Sequence, residues 1–569
     1  MTHYELSIQN PNQQYIQFKV TISDCQENQV FHLSKWRPGR YELGNFAKNI
    51  KGLKIFNAEN ELVSFEKIDS STWKINCKKG ETVRVEYAFF SVELNAGSTF
   101  LSKEMLYVNP VNCFIYTPED LTQSSTFKLN IPEKWSVAGS LPEEEGVYFA
   151  DNFHELADSP FICTEKIQHN TYEAGETLFH LWFAGECQID WERIISDFKA
   201  FTEIQLEKFI EFPVKEYHFL FHILPYRAYH GVEHQKSTVI TLGPSYDLFK
   251  NTYADLLGVS SHELYHTWNV KAIRPIDMFP YNYQSENYSR LGYLCEGVTT
   301  YMGDLMLFKS DVFDFEDYKR EFSAQLQKHF DNPGRFNFSV ADSSFDTWLD
   351  GYVPGAPGRK VSIYTEGCLL AFVSDVFIRR HSKNEHGLDE LMKRLYYNFA
   401  LENKGVSEED YCKLLVELGG EELEKIIPTH FYGSAPYENI LTEALDYLGL
   451  EMTSRPSRFY SFAKLGFKSI PFENGFAVKA LYSGGPADLA GVQLEDKIIA
   501  VNGFLIKNDL EQWLEYFQNE MITLTIERAG RMLEINLPEM QGNYYLEYGI
   551  RKIENPTSFQ VESFENWSK

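Results

Sequence analysis

Ser261-His262-Glu263-Leu264-Tyr265-His266 is the stretch from which the fold and chemistry of this 569-residue chain can be read. The pattern around it predicts a helix over 252–268, and there His262 and His266 stand at i and i+4, on one face and one turn apart. Two imidazoles so placed can bind one metal ion, and the glutamate between them can reach a water on that ion. Further along, Leu294-Cys295-Glu296-Gly297-Val298 falls near the start of another helical pattern. Taken alone, Glu296 reads as a carboxylate favoured by the dipole at a helix N-terminus. Beside the histidine pair it reads as a third ligand, because catalytic zinc sites use three protein ligands and keep one position open. The expectation is one zinc ion per chain on His262, His266 and Glu296. Zinc acidifies its water and polarises a carbonyl, Glu263 takes the proton as general base, and a further donor must meet the oxyanion.

Outward from this centre the hydrophobic period changes twice. Upstream, to about residue 170, short alternating runs recur at 15–22, 82–90 and 126–131, separated by turn residues such as Pro38-Gly39. Period-two runs of this kind predict a β-sandwich. From Trp191 apolar residues fall at helical spacing over 192–212, and 217–224 follows as a strand. Helices are predicted over 252–268, 290–308, 315–329, 364–381, 386–399 and 407–418. Pro354-Gly355-Ala356-Pro357-Gly358 marks a loop among them. The helical signal stops near 454–461. Short strands return over 465–537, with one helix near 510–517. The tail, 541–569, carries Tyr544, Tyr545, Tyr548, Phe559, Phe564 and Trp567, and so is expected to pack back on the body.

Composition sets limits on function. The net charge of −28 argues against nucleic acid and anionic membranes as partners. It suits cationic ligands such as a peptide's free amino terminus, although solubility alone would explain it. The eight cysteines are scattered without a C-x-x-C pair, which indicates neither a cysteine zinc site nor a disulfide framework. The N-terminal residues show no basic and apolar signal pattern, and no apolar run is long enough to span a bilayer. The expected location is the cytoplasm, with a trimmed signal and a periplasmic location left open.

The stretch HELYHTWNVKAIRP, 262–275, resembles the signature of the glycyl aminopeptidase family, gluzincin exopeptidases that carry a PDZ domain. Trp36-Arg37-Pro38-Gly39-Arg40-Tyr41, followed by Asn45-Phe46-Ala47-Lys48-Asn49, is similar to its W-x-P-G-x-Y segment. Gly231-Val232-Glu233-His234 resembles its G-x-E-H segment, and Val361-Ser362-Ile363-Tyr364-Thr365-Glu366-Gly367 its S-Y-Y-x-K-G segment. The resemblance runs over nearly the whole chain in the same order. It implies that Glu233 holds the substrate's α-amine and that Tyr364 stabilises the tetrahedral intermediate. Read without it, the two are a strand-edge carboxylate and a core aromatic. Lys271 and Arg274 either pair with acidic groups near the site or serve the fold. The chain departs from the pattern where Glu366 replaces the usual lysine, and its G-V-E-H differs from the G-A-M-E-N of alanyl aminopeptidases. The resemblance also implies a preference for small N-terminal residues such as glycine and alanine.

At the C-terminal end, Ser483-Gly484-Gly485-Pro486-Ala487 through Asn502-Gly503 looks like the PDZ pattern of bacterial proteases. Asn502-Gly503 between strand-like runs is a hairpin signal. Leu465-Gly466-Phe467 matches the loop whose amides capture a peptide's terminal carboxylate. Glu495 stands where a glycine is usual. Binding of peptide C-termini and simple bracing of the catalytic domain both remain open for this module. The expected organisation is multidomain α+β: an N-terminal β-sandwich (1–170), a thermolysin-like, mainly helical catalytic domain (171–455), a PDZ domain (456–540) and a packed tail (541–569). The expected function is zinc-dependent removal of N-terminal residues from peptides. An endopeptidase or other zinc hydrolase on the same scaffold, such as an epoxide hydrolase, and a non-catalytic PDZ peptide-binding scaffold are the rivals.

Overall fold

The computed structural model describes residues 2–353 and 355–569; Pro354 of the expected loop lies outside the described residues. The N-terminal region is β, as the alternating runs predict. Strands Tyr15–Ile22 and Val83–Phe90 bury every second side chain and pair antiparallel along their whole length. That alternation turns one face of an eight-stranded sheet onto an aromatic core. There Phe18 stacks on Tyr87 at 4.9 Å, and Phe114 meets Phe18 edge-on. Trp36 is fully buried at the rim of this core, with its indole N–H donating to the carbonyl of Asn282 at 2.7 Å.

A five-stranded sheet follows. Its strands are β1 (Ile167–Ala174), β2 (Thr177–Ala184), β3 (Glu216–Ile223), β4 (Ala228–Glu233) and β5 (Ser237–Gly243), in the order β1-β2-β3-β5-β4. β2, β3 and β5 run parallel, while β4 pairs antiparallel with β5 at the edge. The parallel step from β2 to β3 is made by helix α1 (Trp191–Phe209), whose Phe198 packs edge-on against Phe219. The metal-motif helix α2 (Tyr253–Tyr265) is shorter than the predicted 252–268: His266 is its C-terminal cap. The segment predicted as one helix over 290–308 is a π-helical turn, Tyr293–Val298, leading into α3 (Thr299–Lys309). Helix α4 (Ile363–Ser382) crosses beneath that turn.

Two glycines explain this crossing. A Cβ on Gly297 would lie 2.3 Å from the Cα of Gly367, and one on Gly367 would lie 2.7 Å from the Cα of Gly297. Any side chain at either position would hold the two helices apart. A second close approach sets α3 on α2: a Cβ on Gly303 would lie 3.1 Å from the His262 Cα, and Ser261 Oγ donates to the Gly303 carbonyl at 2.7 Å.

The chain divides into two compact units: 1–318 with 333–448 and 557–569, and 319–332 with 449–556. The second contains a six-stranded sheet with Phe467–Phe472 at one edge, and a separate ribbon in which Leu450–Pro456 pairs with Leu546–Lys552. That ribbon joins residues on either side of the expected 455/456 boundary to part of the expected tail. Its two strands come from sequence on either side of the sheet, so no local composition change marks them as partners. The remaining tail helix, α5 (Ser558–Ser568), belongs to the first unit, where Trp567 is fully buried and its indole N–H donates to the Tyr301 hydroxyl at 2.9 Å. No helix among the described residues is long and apolar enough to cross a membrane.

Candidate metal centre and substrate cleft

α2 brings His262 and His266 together as the spacing predicts. Their ring centroids are 4.6 Å apart and their Nε2 atoms 3.0 Å apart. His266 Nδ1 lies 2.6 Å from the Asn269 carbonyl, so it carries the proton and leaves the Nε2 lone pair facing the site. Glu296 Oε2 lies 3.4 Å from His266 Nε2 and 3.8 Å from His262 Nε2. The π-helical turn carries this carboxylate into the interior, where it is 2% exposed.

Asn269 ties the ligands together. Its carbonyl holds His266, and its side-chain N–H donates to the carbonyl of Leu294 at 2.9 Å and to Thr299 Oγ1 at 3.1 Å, at the turn that bears Glu296. Desolvation favours neutral groups here, yet attraction between His266 and Glu296 outweighs it, pushing the histidine up and the carboxylate down. A buried carboxylate and two imidazoles converging within 4.8 Å form a site that calls for a cation. Two nitrogens, one oxygen and an open side are a donor set suited to zinc.

Glu263 is buried on the same cavity. Its Oε1 occupies the space that a side chain at position 231 would fill: a Cβ on Gly231 would lie 2.1 Å from it. Its Oε2 has no protein partner. Burial pushes this carboxyl well above the usual range, with Glu233 and Glu296 adding to the shift; a dication alongside would oppose it.

Glu233 ends the edge strand β4, is 4% exposed, and leaves Oε1 unpartnered. It shares a 4.8 Å cluster with Glu263 and His266. Its other oxygen lies 2.5 Å from where a Cβ on Gly39 would be; that glycine has φ +81°, and the W-R-P-G-R-Y turn from the N-terminal region touches Glu233 itself. Tyr41, at the end of the turn, places its hydroxyl 3.5 Å from Glu296 Oε1.

Lys271 resolves as a pairing residue. Its ammonium lies 2.7 Å from Asp158, which also meets His234 Nδ1 at 3.1 Å and the Gln235 N–H at 2.8 Å. Lys271 thus pins the loop that follows Glu233. Burial raises Asp158, but Lys271 and His234 together outweigh it and hold the carboxyl well below the usual range. Arg274 stacks on the Tyr281 ring at 3.9 Å and donates to the Lys271 carbonyl.

Tyr364 stands in the first turn of α4, beside Tyr352 and within the field of Glu296 and Glu233; burial pushes its hydroxyl well above the usual range. Glu366, the departure from the usual lysine, is buried and faces Tyr437. In the second unit Leu465 closes a short π-helical turn, Gly466 has φ +72°, and Phe467 opens the edge strand. The roles of Asn269, Gly297, Gly367 and Tyr41 were not legible beforehand, although all four lie within the quoted stretches.

The model of the Peptidase M61 N-terminal domain matches residues 3–165, that of the M61 glycyl aminopeptidase residues 255–370, and that of the PDZ domain residues 478–528. That match assigns the catalytic region to the M61 glycyl aminopeptidase family. It is a zinc metallopeptidase of aminopeptidase type, with an N-terminal β-rich domain, a helical catalytic region and a C-terminal PDZ domain. Among solved structures, it is similar to an aminopeptidase N family protein from Idiomarina loihiensis, at 23% identity and TM-score 0.93 over 100% of both chains. That likeness shows the fold. An M1 zinc metallopeptidase from Deinococcus radiodurans is similar at 13% identity and TM-score 0.48, over 76% of this chain and 94% of that one. A mutant of that enzyme bound to a Tyr-Ser-Ala substrate gives 13% and 0.47 over the same shares. These two are too distant to carry an argument. No curated protein matches the chain in sequence.

Proposed function

We propose that this M61 peptidase removes single N-terminal residues, small ones such as glycine or alanine, from peptides with a free α-amine. The observation that carries the reading is Glu233: a buried carboxylate with an unpartnered oxygen, beside Glu263 and His266. A buried anion left without a cation is costly, and a substrate ammonium supplies that cation. With the amine held there, the first carbonyl falls at the metal ligands, and cleavage comes after residue one.

His262, His266 and Glu296 would hold one zinc ion, which when bound supplies Lewis-acid polarisation of the carbonyl and acidifies water. Glu263 takes the proton of the attacking water and returns it to the leaving amine; its unpartnered Oε2 is free for that transfer. The Tyr364 hydroxyl donates a hydrogen bond to the developing oxyanion. The enclosure of Glu233, Glu263 and Glu296 keeps bulk water from weakening these interactions. The tight seat of the Gly39 turn against Glu233 supports a small first residue. In the PDZ domain, the Leu465-Gly466-Phe467 turn beside an edge strand supports docking of peptide C-termini.

A screen of aminoacyl fluorogenic amides, with chelator and after zinc readdition, tests the reading. Glycyl and alanyl amides should be turned over, lose activity with chelator and regain it with zinc. Turnover that ignores chelator, or a screen in which only large residues react, would overturn it.

A further inference from the structure

The turn at Arg37-Pro38-Gly39-Arg40 brings two guanidiniums to the cleft, and they are not equivalent. Arg37 and Arg40 face each other across an antiparallel bridge, so their side chains are neighbours, an unfavourable arrangement for like charges. Arg40 is compensated: its Nε lies 2.5 Å from Glu42, and its guanidinium sits 4.6 Å above the Tyr352 ring. Arg37 is not. It is 5% exposed, its Nη1 donates only to the neighbouring Pro38 carbonyl at 3.3 Å, and among the described residues no carboxylate lies within 4 Å of it. Its guanidinium lies flat against Gly97, where a Cβ would come within 2.1 Å of Cζ.

An unpaired cation buried in this way is costly unless an anion arrives to meet it. Space for one exists: a cavity of about 250 Å³ is lined by Arg37, Arg40, Lys48 and Asn112, with Glu42, which already pairs with Arg40, and Glu93 as its acidic members. Glu233 is the counterpart on the other side of Gly39. It too is buried with an unpartnered oxygen, and its charge acts on Arg37 without pairing to it. Glu263 also lies within the field of Arg37. Two opposite, unpaired, buried charges therefore border the residue that would activate water. A short peptide carries the complement of both, an ammonium at one end and a carboxylate at the other.

We propose that Arg37, assisted by Arg40, is a carboxylate-binding subsite, and that the preferred substrates are short peptides whose terminal carboxylate reaches Arg37 while Glu233 holds their amine. The proposal rests on the aminopeptidase reading for its catalytic consequence. The same chemistry could come from an acidic side chain after the scissile bond, and the test separates the two sources.

Zinc-loaded Glu263→Gln enzyme, which should bind without cleaving, is titrated calorimetrically with Gly-Ala-Ala, its C-terminal amide, and the amide of Gly-Glu-Ala. The free acid should bind about tenfold or more tighter than its amide. Adding Arg37→Gln should bring that ratio near one while leaving the affinity for the amide little changed, which also reports an intact cleft. Should Arg37→Gln fail to fold, Arg40→Gln, on a less buried residue, should lower the ratio in part. Tight binding of the Gly-Glu-Ala amide alone would keep the carboxylate subsite and overturn the preference for short peptides. Equal binding of all three, or an acid-to-amide ratio unaffected by both arginine variants, would overturn the subsite. The aminopeptidase reading fails separately, on whether the N-acetylated form of Gly-Ala-Ala binds as well as the free amine.

Discussion

The metal centre and the recognition turn are built on opposite principles. Around the ligands, the donors that position them are engaged within the chain: His266 Nδ1 by the Asn269 carbonyl, the Asn269 side-chain N–H by the turn that bears Glu296, and Ser261 Oγ by the Gly303 carbonyl. In the cleft, charged groups are left unpaired: Glu233 Oε1 and Glu263 Oε2 have no partner, and the Arg37 guanidinium meets only the Pro38 carbonyl. Ligands must already be in place when a metal arrives, so the fold secures them. Groups that meet substrate gain most when the substrate is their first partner, so the fold buries them and leaves them unpaired. The contrast separates residues whose loss removes the metal from residues whose loss removes turnover alone.

The largest effect is expected at the ligands. Glu296→Ala or His262→Ala should lose most of the zinc and with it nearly all activity, as measured by elemental analysis of the purified protein; undiminished zinc in both would remove the proposed site. Glu263→Gln should keep its zinc and lose about 10²–10⁴-fold in kcat, since it removes a base and no ligand. Near-normal rates there would place the base elsewhere. For Tyr364→Phe the expectation is a kcat lower by about 10²–10³-fold with KM little changed, and steady-state kinetics with unaltered kcat would leave Tyr364 a packing residue. Asn269→Ala should weaken zinc by about 10–100-fold, because it removes the amide that ties the His266 loop to the Glu296 turn. A competition titration with a zinc chelator measures this, and unchanged affinity would mean that the backbone contact to His266 is enough.

What the sequence made legible was local, and what it hid was not. His262 and His266 could be read because helical spacing alone puts them on one face. Glu296 could be read because the first two ligands demand a third. The β-rich start and the PDZ pattern carried their own periodicity and turn residues. By contrast, the Gly297–Gly367 contact joins positions in different helices, and nothing in either local segment marks the other as its partner. The W-R-P-G-R-Y turn was visible as a motif, but its work lies in touching Glu233 and Glu296, residues far along the chain. The end of α2 at Tyr265 came from the fold of the Thr267–Asn269 turn, which bends so that its carbonyl meets His266. The division of the tail between a ribbon strand and α5 is set by where Trp567 finds its pocket, which composition could not show.

The central claim is that Glu233 holds a substrate ammonium and so makes this zinc site an aminopeptidase. One peptide and its N-acetylated twin, incubated with the zinc-loaded enzyme and with Glu233→Ala and followed by mass spectrometry, test it most directly. The account predicts loss of the first residue from the free-amine peptide alone, and a fall in kcat/KM of about 10²-fold or more in Glu233→Ala, as expected when a desolvated charge pair loses one partner. Equal cleavage of both peptides, or internal cuts as the main product, would contradict it while leaving the metal centre in place.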